Sequence, residues 1–266
     1  MKYDPNLAER LNREAELDKK RKPKQQVITQ TASPEEILHL SKDFSLEELT
    51  DFYRINGIPY RNEIYTVDLS KTLLESRTQD QHANQRKKAV SDEFTVADMP
   101  LYYAVKHSLY QNRDNKDYKE KVLEVRDFIK QKMLEKYLMT LSRVRYNPQG
   151  KDIVIHDCDQ ASQYEIPADF MGNDNFILKI SNMKEPLNAL LGVNHDVDKI
   201  NDVYKWLTDM DTYIFRVNST PSKIDERVVR FDADSDWSRL GCGRFPQYSY
   251  STLGVRRKKF SSENKG

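Results

Sequence analysis

Cysteine is scarce in this chain. Cys158 and Cys242 are its only two, 84 positions apart and outside any CxxC pair. That excludes a disulfide framework and a four-cysteine zinc site. Long apolar runs are missing as well. No uninterrupted stretch approaches the roughly 20 residues that a membrane-spanning helix needs, and the charged opening MKYDPNLAERLNREAELDKKRK holds no secretory core. The expectation is a soluble cytoplasmic chain with no membrane partner, able to enter the nucleus through Lys19, Lys20, Arg21 and Lys22. On that view the sequon Asn218-Ser219-Thr220 is a chance match. A third absence is charge of one sign. Lys and Arg number 43 against 42 Asp and Glu, a net +1, which excludes a uniformly basic nucleic-acid coat and an acidic disordered tail.

What is present is enough apolar residue for a packed core, 38% of the chain, under a wet mean hydropathy of −0.82. Residues 1–32 carry eight basic and five acidic groups and no aromatic after Tyr3, the pattern of a mobile basic segment. Two capping boxes follow, Ser33-Pro34-Glu35-Glu36 and Ser45-Leu46-Glu47-Glu48, and predict two short helices, the second ending at Asn56-Gly57. Residues 60–75 read in part as a strand, with a polar connection at 76–92. A helix over 95–111 precedes a longer one over 118–146, whose Val122, Val125, Ile129, Met133, Tyr137, Leu141 and Val144 recur at spacings of three and four. The pair is expected to form a helical hairpin stopped by Asn147-Pro148-Gln149-Gly150.

Beyond residue 150 the periodicity changes. Ile153–Ile155, Phe176–Ile180, Tyr213–Val217 and Val228–Phe231 read as strands, the last two as a hairpin around 218–225. Between them lie a helix at Pro186–Leu191 ending at Gly192 and another through Val197, Ile200, Val203, Tyr204 and Leu207, capped by Asn194 or Asp196. The fold class expected is α+β: a helical N-terminal half with a long antiparallel helical hairpin, then a mixed α/β portion with a small sheet. The divisions are a mobile segment 1–32, a mainly helical portion 33–150, a mixed portion 151–255 and a basic tail 256–266.

Charge by segment is more informative than the total. Residues 1–32, 33–92, 93–150, 151–238 and 239–266 carry +3, −3, +3, −8 and +6. The acidic block is rich in aspartate, and two DxD pairs follow apolar strands: Asp157 with Asp159, and Asp232 with Asp234. A strand that delivers two carboxylates to its end is similar to the way haloacid-dehalogenase-like phosphotransferases place a nucleophile and a general acid beside magnesium. Ala161 and Trp237 depart from that pattern, and the aspartates serve equally as caps of turns. His156 with Cys158 on one strand face, His195 and Cys242 are the nitrogen and sulfur ligands of this half, with a buried thiol beside a half-exposed imidazole as the plainer alternative.

The last block interleaves Arg239, Arg244, Arg256, Arg257, Lys258 and Lys259 with Phe245, Tyr248, Tyr250 and Phe260. Cations attract phosphates whatever the base, and aromatic faces stack on unpaired bases, so the composition suits single-stranded nucleic acid. The competing readings are a tail folded onto the acidic block and an inert basic end. No family's motif set is carried with useful specificity. The expected function is a non-catalytic intracellular binding protein that takes nucleic acid through Arg239, Arg244, Phe245, Tyr248, Tyr250 and Arg256–Lys259, with no metal or cofactor. The alternatives are a magnesium-dependent phosphohydrolase or phosphotransferase using Asp157, Asp159, Asp232 and Asp234, and a protein-assembly component presenting the Val122–Val144 stripe or Tyr102, Tyr103 and Tyr110.

Overall fold

The computed structural model describes residues 43–90, 92–158 and 165–260. The basic segment 1–32, the capping box at Ser33, Asp159 and residues 261–266 lie outside them. The helical N-terminal half is not found: the chain is 37% strand and 31% helix, arranged on two sheets. The first sheet holds four antiparallel strands in the order β1 (Ser45–Glu48), β2 (Phe52–Tyr60), β3 (Glu63–Arg77), β11 (Tyr250–Lys259). The second curls into a half-barrel of seven strands. Its order is β6 (Glu165–Ala168), β5 (Asp152–Ile155), β4 (Leu138–Tyr146), β9 (Asp225–Ala233), β10 (Ser238–Arg244), β8 (Thr212–Phe215), β7 (Asn175–Phe176). Among the described strands only β8 and β10 run parallel.

The capping box at Ser45 is therefore a strand. Leu46 pairs with Ile55 across the β1–β2 ladder and both are buried, so the alternation of a half-buried sheet outweighs the local capping signal. Gly57 does adopt a positive φ, +75°, but at a bulge in β2 rather than at a helix end. A side chain there would meet the Asp43 backbone at 2.8 Å. Arg61 and Asn62 follow with φ of 51° and 63°, a two-residue turn with both centres left-handed, which matches the twist of β2 and β3.

The stripe at 118–146 is two elements. Val122, Val125, Ile129 and Met133 are buried on α3 (Lys119–Glu135), while Tyr137 lies 47% exposed between elements and Leu141 and Val144 belong to β4. The helix stops where Lys136 turns extended, φ −145° and ψ 153°. The continued spacing of three and four is coincidental, because most of β4 is buried on both faces and any spacing of apolar residues satisfies it. The hairpin of two long helices is thereby replaced by a helix and a central strand. The polar connection at 76–92 contains α1 (Gln79–Lys88), opened by a reciprocal box between Thr78 and Gln81.

The expected helix at 95–111 is found as α2 (Met99–Gln111), capped by Asp98 and buried at every residue from Met99 to Leu109. Helices α4 (Lys184–Leu191), closed by Gly192 at φ +65°, and α5 (Val197–Thr208) complete the fold. The hairpin expected at 218–225 does not form: β8 pairs with β10 and β7, and β9 with β4 and β10. Leu46, Ile55 and Val67 from the first sheet share one apolar core with Leu138, Phe231 and Leu240 from the second.

Candidate nucleic-acid interface

The basic C-terminal block enters both sheets, and its residues meet different fates. Arg239, on β10, is held by two carboxylates of the acidic block, Asp232 Oδ2 at 2.7 Å and Asp234 Oδ2 at 2.6 Å. Arg256, on β11, donates to Asp68 at 2.7 and 3.0 Å and to the Asp92 carbonyl at 2.9 Å. Lys258 pairs with Asp92 at 3.4 Å and Lys259 with Glu63 at 2.6 Å. The tail thus turns inward, yet its C-terminal cations are taken by acids between residues 63 and 92 rather than by the 151–238 block. Arg257 makes no ion pair with the described residues; it bonds the Tyr60 side chain and lies over the rings of Tyr60 and Tyr65, at 5.1 and 5.8 Å.

The remaining members gather at the turn between β10 and β11. Arg244 is exposed and makes no hydrogen bond or ion pair with the described residues. Phe245 and Tyr248 are 37% and 49% exposed and meet edge to face at 6.0 Å, while Arg227 lies 3.4 Å from the Phe245 centroid. Tyr137 extends the patch, with Arg230 and Arg239 at 4.3 and 5.8 Å from its ring. Burial raises the Tyr250 hydroxyl above its ordinary pKa, opposed by the nearby Arg230 and Arg244. Gly241 admits this arrangement, since a side chain on it would stand 2.7 Å from Arg230 Nε. Tyr137, Arg227 and Arg230 were not legible as members, because Tyr137 fell on the helical stripe and the two arginines lie before the basic block.

The carboxylates proposed for phosphoryl transfer are also taken up by arginines. Asp232 is held by Arg230 at 3.1 Å as well as Arg239, and burial still pushes its pKa up to about 6. Asp234 accepts the backbone N–H groups of Asp236 and Trp237, the turn role aspartate commonly plays. Asp157, at φ +52° just past β5, turns its carboxylate inward between Arg61 and Arg86. There it adjoins Asp98, which caps α2 through the Leu101 N–H and accepts from Tyr60 at 2.7 Å and Arg61 at 2.6 Å. Burial raises Asp157, whereas Arg61 and His156 leave Asp98 below its ordinary value against the burial that opposes them. Among the described residues no three of His, Cys, Asp and Glu come together in a metal-binding arrangement.

His156 and Cys158 do not share a partner. His156 joins Ser142 Oγ and the Ala189 carbonyl, both at 2.9 Å, and Cys158 Sγ donates to the Leu141 carbonyl at 3.1 Å. His195 accompanies Tyr103 and a histidine the sequence did not single out, His107, at 4.6 Å between rings. Burial lowers the two to about 4 and about 3. Burial likewise raises Cys242 to about 12, and neither cysteine is in a disulfide.

The most unusual charge is Lys106 on α2. It is 2% exposed and has no hydrogen-bond partner; its Nζ lies 3.3 Å from the Phe231 centroid and 4.8 Å from that of Tyr204. Desolvation alone holds its pKa far below the ordinary lysine value. Compared with protein-family models, curated proteins and solved structures, the chain matches none.

Proposed function

We propose that this protein binds single-stranded nucleic acid without catalysis, through the face formed by the β10–β11 turn and Tyr137. The observation that carries this reading is the pairing of three exposed rings, Phe245, Tyr248 and Tyr137, with arginines set against them. Every base offers a π-face, so such a platform stacks unpaired bases with little sequence preference, and Arg244 beside it attracts the phosphates between them. Arg244 supports it further as a surface cation that no described carboxylate neutralises. The protein-assembly alternative gains less support: Val122, Val125, Ile129, Met133, Tyr102 and Tyr103 are all buried in the chain's own core.

The test is fluorescence anisotropy with a labelled oligothymidine and an oligouridine at low salt. Affinity is expected to weaken about tenfold in Phe245→Ala and again in Tyr248→Ala, at 1–3 kcal/mol per stacked base. Arg244→Ala should reduce the slope of log affinity against log salt by about one. Undetectable binding at low salt, or affinity untouched by all three substitutions, would falsify the reading.

A further inference from the structure

A second cationic feature lies away from the stacking face, where the segment after α1 crosses the edge of β11. Thr95 exchanges backbone hydrogen bonds with Val255, 2.8 and 2.9 Å, and a cavity of about 280 Å³ opens beside that bridge. Arg86, Arg256 and Arg257 line one side; Val90, Val96, Leu101 and Val255 line the apolar side, and exposed Glu93 sits at the rim.

The carboxylates behind this wall are shared. Arg54 and Arg256 share one carboxylate, Asp68. Arg61 and Arg86 share Asp157, and Arg61 also reaches Asp98. Arg257 adds a fifth guanidinium on the inward face of β11, opposite Val67. Glu47 also stands opposite Arg54, and Asp157 and Asp98 act on Arg257 from a distance, so among the described residues the arginines share their carboxylates rather than each holding one. One of the nitrogens, Arg257 Nη1, is buried without a hydrogen-bond partner, a state that ordinarily costs free energy unless something accepts from it.

We propose that this cavity binds a small organic phosphomonoester, its phosphate held by Arg86 and Arg257 and its body lying on Val90, Leu101 and Val255. The guanidinium groups of Arg86, Arg256 and Arg257 on one wall favour an anion. Planar guanidinium forks suit phosphate oxygens, and the cavity is of a size for a small molecule rather than a polymer.

The test is titration calorimetry on the full chain with phenyl phosphate, inorganic phosphate and phenyl sulfate. Phenyl phosphate is expected to bind at least tenfold more tightly than either of the others. Arg257→Gln should weaken it tenfold or more. Val90→Glu should do the same by placing a carboxylate at the mouth; Val90 is 65% exposed, so this variant keeps its fold. Oligothymidine affinity should be unchanged in Val90→Glu, which separates this site from the stacking face. A 5′-phosphorylated oligothymidine is expected to bind no better than its 5′-hydroxyl form. The proposal is overturned if phenyl phosphate shows no heat at millimolar concentration, if Val90→Glu binds it like the wild type, or if inorganic phosphate binds equally well. A tenfold gain from the 5′-phosphate would instead place the group at a strand end and sink the small-molecule assignment.

Discussion

The two ends of β11 treat the same kind of side chain in opposite ways. At its C-terminal end Arg256, Lys258 and Lys259 each reach an acid; Arg244, the last residue of β10 before the turn that leads into it, reaches none among the described residues. Register explains the difference. Arg54, Asp68 and Arg256 occupy paired positions on three neighbouring strands, so two cations converge on one carboxylate by sheet geometry alone. Arg244 instead stands opposite Val228 in the β9–β10 ladder and meets no acid there. Whether a basic residue is available for a partner is therefore decided by what stands opposite it in the ladder, which net charge does not record.

The comparison can be broken at its paired end. Asp68→Ala removes the carboxylate that Arg54 and Arg256 share, and chemical denaturation should show a loss of about 3 kcal/mol, the lower part of the range for orphaning a buried charge. A loss below about 0.5 kcal/mol would mean that register, not the acid, holds this edge.

Lys106 sharpens the contrast, because its amine faces rings in the interior with no acid beside it among the described residues. Lys106→Met should stabilise the fold by about 2 kcal/mol at neutral pH, since desolvating an unpaired polar group costs on the order of 1–3 kcal/mol. The sign with pH is definite. Its folded pKa lies below the unfolded value, so the native state binds fewer protons, and the wild type gains stability as pH rises toward about 10.4. The advantage of methionine should shrink over that rise; an advantage constant from pH 7 to pH 10 would show that Lys106 is charged in the core.

The smallest effect concerns Asp232 beneath the stacking face. Because its folded pKa is about 6, above the ordinary carboxyl value, it takes up a proton on acidification in the native state, and its contribution to stability grows as pH falls through 6. Moving from pH 7 to pH 5 removes one negative charge beside Arg230 and Arg239, and single-strand affinity should rise about threefold. Asp232→Asn should show the raised affinity at pH 7 and no further rise; an unchanged pH response in that variant would assign the effect elsewhere.

Much of the second half was legible because its signals are local. The stop at Gly192, the buried stripe of α5 and the strands at 153–155 and 228–231 need only their own residues to be read. The first half was misread where local and long-range preferences disagree. Ser45-Leu46-Glu47-Glu48 satisfies a helix cap, but β1 is fixed by β2, and Leu138–Tyr146 continues a helical spacing although β9 and β5 on either side make it a strand. The candidate face was half legible: Arg244, Phe245 and Tyr248 adjoin in sequence, whereas Tyr137 arrives from about a hundred residues away. Arg257 was named with the basic block, but its neighbour Arg86 was beyond reach for the same reason, and so was the fate of Asp157, set by Arg61 across the interior.

The ladder that joins Arg256 to Asp68 spans 188 residues. At a ribosome's pace of about 5–20 residues per second, β1, β2 and β3 emerge roughly ten to forty seconds before β11 exists. For that interval β3 waits with one edge open, the situation in which strands of other chains dock and aggregation begins. Asp68 sits in the middle of the edge and Arg54 can already hold it. The carboxylate that later fixes Arg256 thus keeps a charge on the vacant edge until its proper neighbour has been made.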